Sequence, residues 1–296
     1  MTLTVAIPTH NRARTLALTL DSLAALRLDP GITFEGLVID NNSSDATPSV
    51  VEEFARAAPF AIRRVFEPRQ GSSFARNRAV REGQGDLIFF IDDDVIVDRE
   101  WASELRAAIE ERGLDAACGL VLAQWQAPPP KWLGVEVYGK LAVHPETRVP
   151  AEALSQYFSA NVGFTRRCLD RFGLFREDLG VVAGNPMSGE DTELFARIIG
   201  GGGKIALAPR AVVHHLIGPE RMTRSYFRHK SFAFGVGSAM SGKRTHNRVD
   251  KLVRNLVRMG AAAAQGNPSL AFYHQLECVN FFGYWYGRIA LRRLPR

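Results

Sequence analysis

The sequence predicts an α/β fold, a Rossmann-like, mixed but mostly parallel sheet flanked by helices, with a mainly helical, basic C-terminal extension. Three observations carry this expectation. Short apolar runs alternate with helix-period segments through residues 1–100. The runs are apolar at successive positions, as strands covered on both faces require. Each run ends in a cluster of polar and charged residues, where open α/β sheets bind their ligands.

Residues 3–7 form the first strand, ended by Pro8. Residues 15–28 place Leu16, Leu20, Leu23 and Ala24 at helical spacing. Residues 37–39 are a second buried strand, followed by the turn-rich stretch 40–45. Thr47 and Pro48 read as the N-cap and first position of a helix to about residue 57. Residues 62–66 are a third strand, and Ser72 or Ser73 caps a helix to about residue 82. The run 87–91 is a fourth, intensely apolar strand that ends at Asp92, Asp93 and Asp94. Pro128, Pro129 and Pro130 then break the chain between Trp125 and Trp132. A strand-like run, 156–164, leads to Thr165, a cap for a short helix to residue 172. Residues 178–188 read as a loop rich in glycine and small residues. Residues 190–199 form a helix that four glycines stop, and two short strands, 205–207 and 211–213, surround Pro209. From Pro219 onward the pattern is helical, basic and aromatic.

The net charge of +6 hides a split. Residues 1–203 carry 21 basic and 28 acidic side chains, whereas residues 204–296 carry 16 and 3, so the two parts should meet different partners. A hydrophobic fraction of 46% excludes a disordered or collagen-like chain. Cys118, Cys168 and Cys278 form no Cys-x-x-Cys pair, which argues against a zinc ribbon or a thioredoxin-type site and fits a reducing compartment. The first residues run straight into a strand without a basic n-region, and no stretch reaches the roughly 20 apolar residues of a spanning helix. The expected location is therefore cytoplasmic.

Several clusters have two readings each. Asp92, Asp93 and Asp94 repel one another. A hard divalent cation, Mg2+ or Mn2+, would relieve that repulsion; otherwise they form a solvated acidic turn. The stretch from Asp40 through Asn42 to Asp45 is either a plain turn or part of a nucleoside pocket in which Asp40 accepts from base or ribose. Arg76 and Asn77 would meet a diphosphate or lie on an ordinary helix face. Glu190 and Asp191 complement the dipole of the helix they open, or one of them is a general base. His214 and His215 follow a short strand, and alternation allows only one of them to face a metal. Gly200 to Gly203 with Lys204 do not make a phosphate loop, because Ile205 stands where Ser or Thr is needed.

Read together, the ordered elements Pro8-Thr9-His10-Asn11-Arg12, Val38 to Asp45, Gly71 to Asn77, Asp92-Asp93-Asp94, Gly189-Glu190-Asp191 and Val212-Val213-His214-His215 resemble the family 2 glycosyltransferases, which have the GT-A fold. The resemblance covers about residues 3–230 and implies a catalytic domain at 1–230 and a helical extension at 231–296. It implies that Pro8, Thr9, Asn11, Arg12, Asp40, Asn42, Arg76, Asn77, Asp92 and Asp93 line the nucleotide pocket. Asp94 and His215 would hold the metal. Asp191, beside Glu190, would be the catalytic base of an inverting transfer from a nucleotide-diphospho-sugar, with UDP the expected nucleotide. Asn161, in a loop of the acceptor side, and the sugar-stacking candidates Trp125 and Trp132 would meet the acceptor. The Gln-x-x-Arg-Trp motif of processive members is missing from the sequence, so transfer of a single sugar to a saccharide or lipid-linked acceptor is expected. A sugar nucleotidyltransferase would carry a Gly-rich basic loop where this chain has Thr-His-Asn-Arg. An inactive nucleotide-sugar-binding protein would not need Asp92, Asp94 and Asp191.

The extension's basic excess and its run Phe281-Phe282-Gly283-Tyr284-Trp285-Tyr286 fit peripheral attachment to an anionic inner membrane face. Burial against the catalytic body is the ordinary competitor for those rings. No recognition motif for nucleic acid accompanies the charge, and no sequence feature specifies an oligomeric state.

Overall fold

A computed structural model describes residues 2–146, 157–180, 189–242 and 249–291. It contains one eight-stranded sheet of order β3-β2-β1-β4-β7-β6-β8-β5. The strands are β1 (Thr2–Thr9), β2 (Thr33–Asp40), β3 (Ala61–Phe66), β4 (Leu87–Ile91), β5 (Val95–Val97), β6 (Ala116–Trp125), β7 (Asn161–Thr165) and β8 (Ile205–Ile217). The helices are α1 (Ala13–Ala24), α2 (Thr47–Ala57), α3 (Ser72–Glu82), α4 (Trp101–Arg112), α5 (Arg166–Phe172), α6 (Glu190–Gly200), α7 (Arg224–Met240), α8 (Val249–Ala264) and α9 (Pro268–Leu291).

The wholly apolar strands divide their side chains between two cores, as period-two geometry dictates. Leu3, Val5 and Ile7 of β1 pack with Leu16 and Leu20 of α1, whereas Ala6 points to the other face among Ala75 and Ala79 of α3. β1 pairs in parallel with both β2 and β4, so the chain winds outward to β3 and returns on the far side of β1. That reversal opens a crevice beyond the carboxyl ends of β1 and β4, where Thr9 and Asp92 to Asp94 lie.

The sheet is less parallel than the strand–helix alternation predicts. β7 runs antiparallel between β4 and β6, and β5 is antiparallel to β8. An apolar run records burial and not direction, so this part of the topology had no sequence signal. Of the run 156–164, only its end belongs to β7, and residues 151–156 lie outside the described residues. The strands expected on either side of Pro209 are one strand, β8, with a register shift where β6 passes from Gly119 to Leu120. There a Cβ on Gly119 would lie 2.1 Å from the Ala211 carbonyl and 2.3 Å from the Asn161 amide, so only glycine fits. Two expected caps also differ. The residue before α2 is Ala46, and Gly71, with φ of 146°, precedes α3. Thr165 does cap α5, accepting from the Cys168 N–H. The expected loop 178–188 is described only to residue 180.

Asn161 is fully buried at the start of β7 and does not face an acceptor. Its amide nitrogen donates to the Leu120 and Ala211 carbonyls, and its oxygen accepts from Trp101 Nε1 at 2.8 Å. It is the polar pin of the bulged β6–β8 junction. Trp132 is likewise a packing anchor, edge-on to Phe227 at 5.6 Å and Phe272 at 5.0 Å. Trp125 tilts against Tyr138 at 5.6 Å. Through Trp132 and the 3-10 helix Val135–Leu141 the body grips α7 and α9, with Ser269 accepting from the Gly134 N–H and Lys140 paired to Glu277. The position 230/231 falls inside α7. Among the described residues no helix is long and apolar enough to cross a membrane.

Asn161→Ala strands two carbonyls and an indole N–H in the interior, and is expected to lower unfolding stability by about 2–4 kcal/mol. Chemical denaturation checks this, and an unchanged midpoint would contradict the pinning role.

Candidate active site

Four segments meet beyond the carboxyl ends of β1, β2 and β4. Asn11 and Asn42 both take left-handed backbone, at φ of 53° and 64°, which asparagine tolerates better than most residues. The Asn11 side-chain oxygen accepts from the backbone N–H groups of Ser44 and Asp45, and so ties the loop after β1 to the loop after β2. Asn42 stands exposed at the rim. Asp40 is buried beneath it, its carboxylate accepting from the Ser43 N–H at 2.9 Å and from Arg64 at 3.0 Å. It shapes the 41–45 loop from below, and no face of it is open to a base. Asn41, which the sequence reading passed over, donates to the Glu67 and Arg69 carbonyls and accepts from Gly71 N–H. It thereby seats the turn that starts α3. Pro8 and Thr9 end β1, with Thr9 buried.

Arg76 and Asn77 differ from the diphosphate-binding expectation. Arg76 is 7% exposed, donates to Glu190 at 2.7 Å and lies 3.7 Å from Asp92. Asn77 is spent on backbone: it donates to the Phe175 carbonyl and accepts from the Phe175 N–H. The helical period alone could not show that both residues face inward against residues far along the chain. The serines expected as caps serve the same junction, with Ser72 donating to Glu190 at 2.8 Å and Ser73 to the Leu179 carbonyl.

This arrangement divides two adjacent acids. Burial alone would raise the Glu190 carboxyl, but the Arg76 charge and the Ser72 hydrogen bond outweigh it and lower its pKa. Asp191 is raised by burial and by the neighbouring Glu190 charge, with Arg76 only partly opposing them. Its carboxylate accepts from Ser159 at 3.2 Å and from the Thr192 N–H.

The second cluster lies after β4. Val95 pairs with His215, and the Leu216 N–H donates to the Asp94 carbonyl at 2.8 Å, so β8 is locked beside the aspartates. His215 points inward, with Nε2 3.0 Å from Asp94 Oδ1, while His214 points out to Asp98. Asp92, Asp94 and His215 each offer a ligand atom within 4.8 Å of the others. Two carboxylates and one imidazole suit Mg2+ or Mn2+. Burial works against the Asp94 charge, but His215, Arg221 and Arg12 hold its carboxyl well below the usual range. Asp93, half-buried beside Asp94, is pushed up to about 7 by desolvation and by the Asp94 charge. Arg12 reaches within 4.0 Å of Asp94. Arg221 is the site residue the sequence reading missed. Its Nη1 lies 2.9 Å from both Asp94 and His215 Nε2. The clue was its spacing: the turn Pro219–Arg221, which ends six residues past His215, folds the chain back onto the aspartates.

The profile described as Glycosyl transferase family 2 matches residues 4–169, more than half of the chain. Succinoglycan biosynthesis protein ExoM of Rhizobium meliloti (strain 1021) is 28% identical over 233 residues, covering 78% of this chain and 72% of that protein. The uncharacterized glycosyltransferase YfnE of Bacillus subtilis (strain 168) is 35% identical over 121 residues, 40% of this chain and 30% of the other. The solved mannosyltransferase PcManGT from Pyrobaculum calidifontis, in complex with GDP-Man and Mn2+, superposes with a TM-score of 0.68 at 18% identity, covering 97% and 86% of the two chains. S. aureus TarS 1–349 in complex with UDP-GlcNAc superposes with a TM-score of 0.56 at 18% identity, covering 99% and 92%. These structural likenesses establish the GT-A fold.

Asp94→Ala is expected to weaken Mn2+ binding to the donor-free protein by more than about ten-fold. Asp98→Ala, which removes the partner of the outward His214, should leave it unchanged. Calorimetric titration distinguishes the two, and equal affinities for wild type and Asp94→Ala would take the metal away from this cluster.

Proposed function

The chain belongs to glycosyl transferase family 2, and from that premise we propose that it transfers a single sugar from a nucleotide-diphospho-sugar to an acceptor hydroxyl, inverting the anomeric centre. The observation that carries the reading is the unequal state of Glu190 and Asp191. Glu190 is held ionised by Arg76 and Ser72, so it serves as structure. Among the described residues Asp191 keeps the Ser159 and Thr192 contacts described above and has a raised pKa, which suits a base that must take a proton and later release it.

In this mechanism Asp191 accepts the proton of the acceptor hydroxyl as that oxygen attacks the sugar C1 from the face opposite the diphosphate. Asn11 and Asn42 frame the nucleotide side of the crevice. Arg12 and Arg221, both beside Asp94, meet the negative charge that grows on the departing diphosphate. Asp92, Asp94 and His215 would hold Mg2+ or Mn2+, which when bound supplies Lewis-acid stabilisation of the leaving group. Nucleotide-sugars and Mn2+ in the solved neighbours support such a donor and metal. UDP is the nucleotide we favour. The name of the relative ExoM supports a place in polysaccharide biosynthesis, with a saccharide or lipid-linked acceptor. The basic, aromatic C-terminal third supports an encounter with that acceptor at the cytoplasmic face of an anionic membrane.

A thermal-shift screen of nucleotide-diphospho-sugars with and without Mn2+ tests the donor and the metal together. No stabilisation by any of them would contradict the reading. Asp191→Asn should retain donor binding while the transfer rate falls about a hundred- to ten-thousand-fold. Because Asp191 acts only when ionised and its pKa is raised, the wild-type rate should climb with pH along an acid limb placed above the ordinary aspartate range. The residual rate of the variant should lack that limb. Unchanged turnover would remove Asp191 from the base role.

A further inference from the structure

Helix α8 is oriented the wrong way round for an ordinary surface helix. An amphipathic helix on a soluble protein turns its apolar stripe toward the core. α8 packs chiefly on α9, and the side it turns inward carries Lys251, paired with Glu277 at 3.2 Å, Asn255, accepting from His274 at 2.9 Å, and the small Ala262. Most of its apolar stripe faces solvent, with Leu252 and Met259 half-buried at its edge. Val249, Val253, Leu256 and Val257 are 61%, 53%, 47% and 66% exposed, at the i, i+4, i+7 and i+8 positions of one face.

The last turns of α9 repeat the pattern. Phe282, Trp285, Tyr286 and Ile289, at i, i+3, i+4 and i+7, are between 41% and 58% exposed. These two stripes hold eight of the twelve exposed large apolar side chains among the described residues. Concentration of this kind marks an interaction surface. The stripes also share one end of the helical unit. α8 runs antiparallel to α9, since Lys251 meets Glu277 and Asn255 meets His274, so the start of α8 lies near the middle and later turns of α9.

We propose that the outward faces of α8 and α9 seat the protein on an anionic membrane surface, with α8 lying in the interface plane. The charge around the stripes selects this occupant. Arg254, Arg258 and Arg288 are exposed on the same two helices; of the two acids there, Glu277 is tied to Lys140 and Lys251 and Asp250 pairs with Arg254 at 3.7 Å, so the balance is basic. In sequence the helices are flanked by 243–248, Lys-Arg-Thr-His-Asn-Arg, and 292–296, Arg-Arg-Leu-Pro-Arg, neither of which contains an acid. Lys and Arg beside an apolar face, with Trp and Tyr on it, match the headgroup level of an anionic leaflet. A second copy docked by a two-fold axis would bring two surfaces of the same net positive charge together, which like-charge repulsion opposes. The proposal gives a surface to the membrane encounter in the preceding reading, yet it stands apart from the chemistry of transfer.

The test is flotation of the full chain with vesicles of phosphatidylcholine alone and of phosphatidylcholine mixed with phosphatidylglycerol. The wild type should float with the mixed vesicles only, and added salt should weaken the association. The Val253→Glu/Val257→Glu double variant should lose at least about ten-fold in vesicle affinity. Its thermal shift with nucleotide-diphospho-sugar should match that of the wild type, which separates a lost surface from a lost fold or donor site. A wild type that does not float, a double variant that floats equally well, or a solution dimer that the double variant splits without vesicle binding would each overturn the proposal.

Discussion

The pair between Arg76 and Glu190 is the contact on which the rest of the site depends. A buried guanidinium and a buried carboxylate are costly to desolvate and are tolerated only when each finds the other in good geometry. Here the pair joins α3, which packs on β1 and β2, to α6, which begins far along the chain. Ser72 and Ser73 reinforce the same junction from the first turn of α3. By fixing Glu190 as an anion, the pair also sets the electrostatic surroundings of its neighbour Asp191. Two acids next to each other in sequence thus come to differ, the pKa of Glu190 lowered by its ion pair and that of Asp191 raised by burial and by the charge beside it.

Much of the fold was legible because burial writes itself into composition. The apolar runs at β1, β2 and β4 needed no long-range information, since strands covered on both faces can tolerate little else. The inward turn of His215 rather than His214 agreed with strand alternation. Pairing direction was not legible: Asn161–Thr165 is as apolar as a parallel strand would be, yet it runs the other way. Asn77 and Asn161 illustrate a second limit. Asparagine in a loop-like or helix-start context invites a ligand-binding reading, and only three-dimensional neighbours reveal whether its amide is already saturated by backbone. Both amides are. Arg221 illustrates the reverse. A basic residue in a basic segment attracts no notice until the Pro219–Arg221 turn carries it back to Asp94.

The charge split in the sequence maps onto this structure in a simple way. The acids gathered at the carboxyl ends of the strands are balanced locally by Arg12, Arg76 and Arg221, one of which comes from the basic part of the chain. The remaining basic residues of that part continue onto helices that leave the sheet. Trp132, clasped between Phe227 and Phe272 with the Arg224 guanidinium over its ring, couples those helices to the body.

The pairing of Val95 with His215 has a consequence for how such a protein can change over evolutionary time. The imidazole and the aspartates are brought together by a ladder of backbone hydrogen bonds, and strand side chains alternate with a period of two. Gaining one residue between the bend at Pro209 and the histidines would move His214 into the position opposite Val95, whereas losing one would bring Leu216 there. Two adjacent histidines therefore keep an imidazole facing inward after an insertion but not after a deletion. The doublet is a one-sided tolerance to length change, protecting the cluster against a longer bend and not against a shorter one.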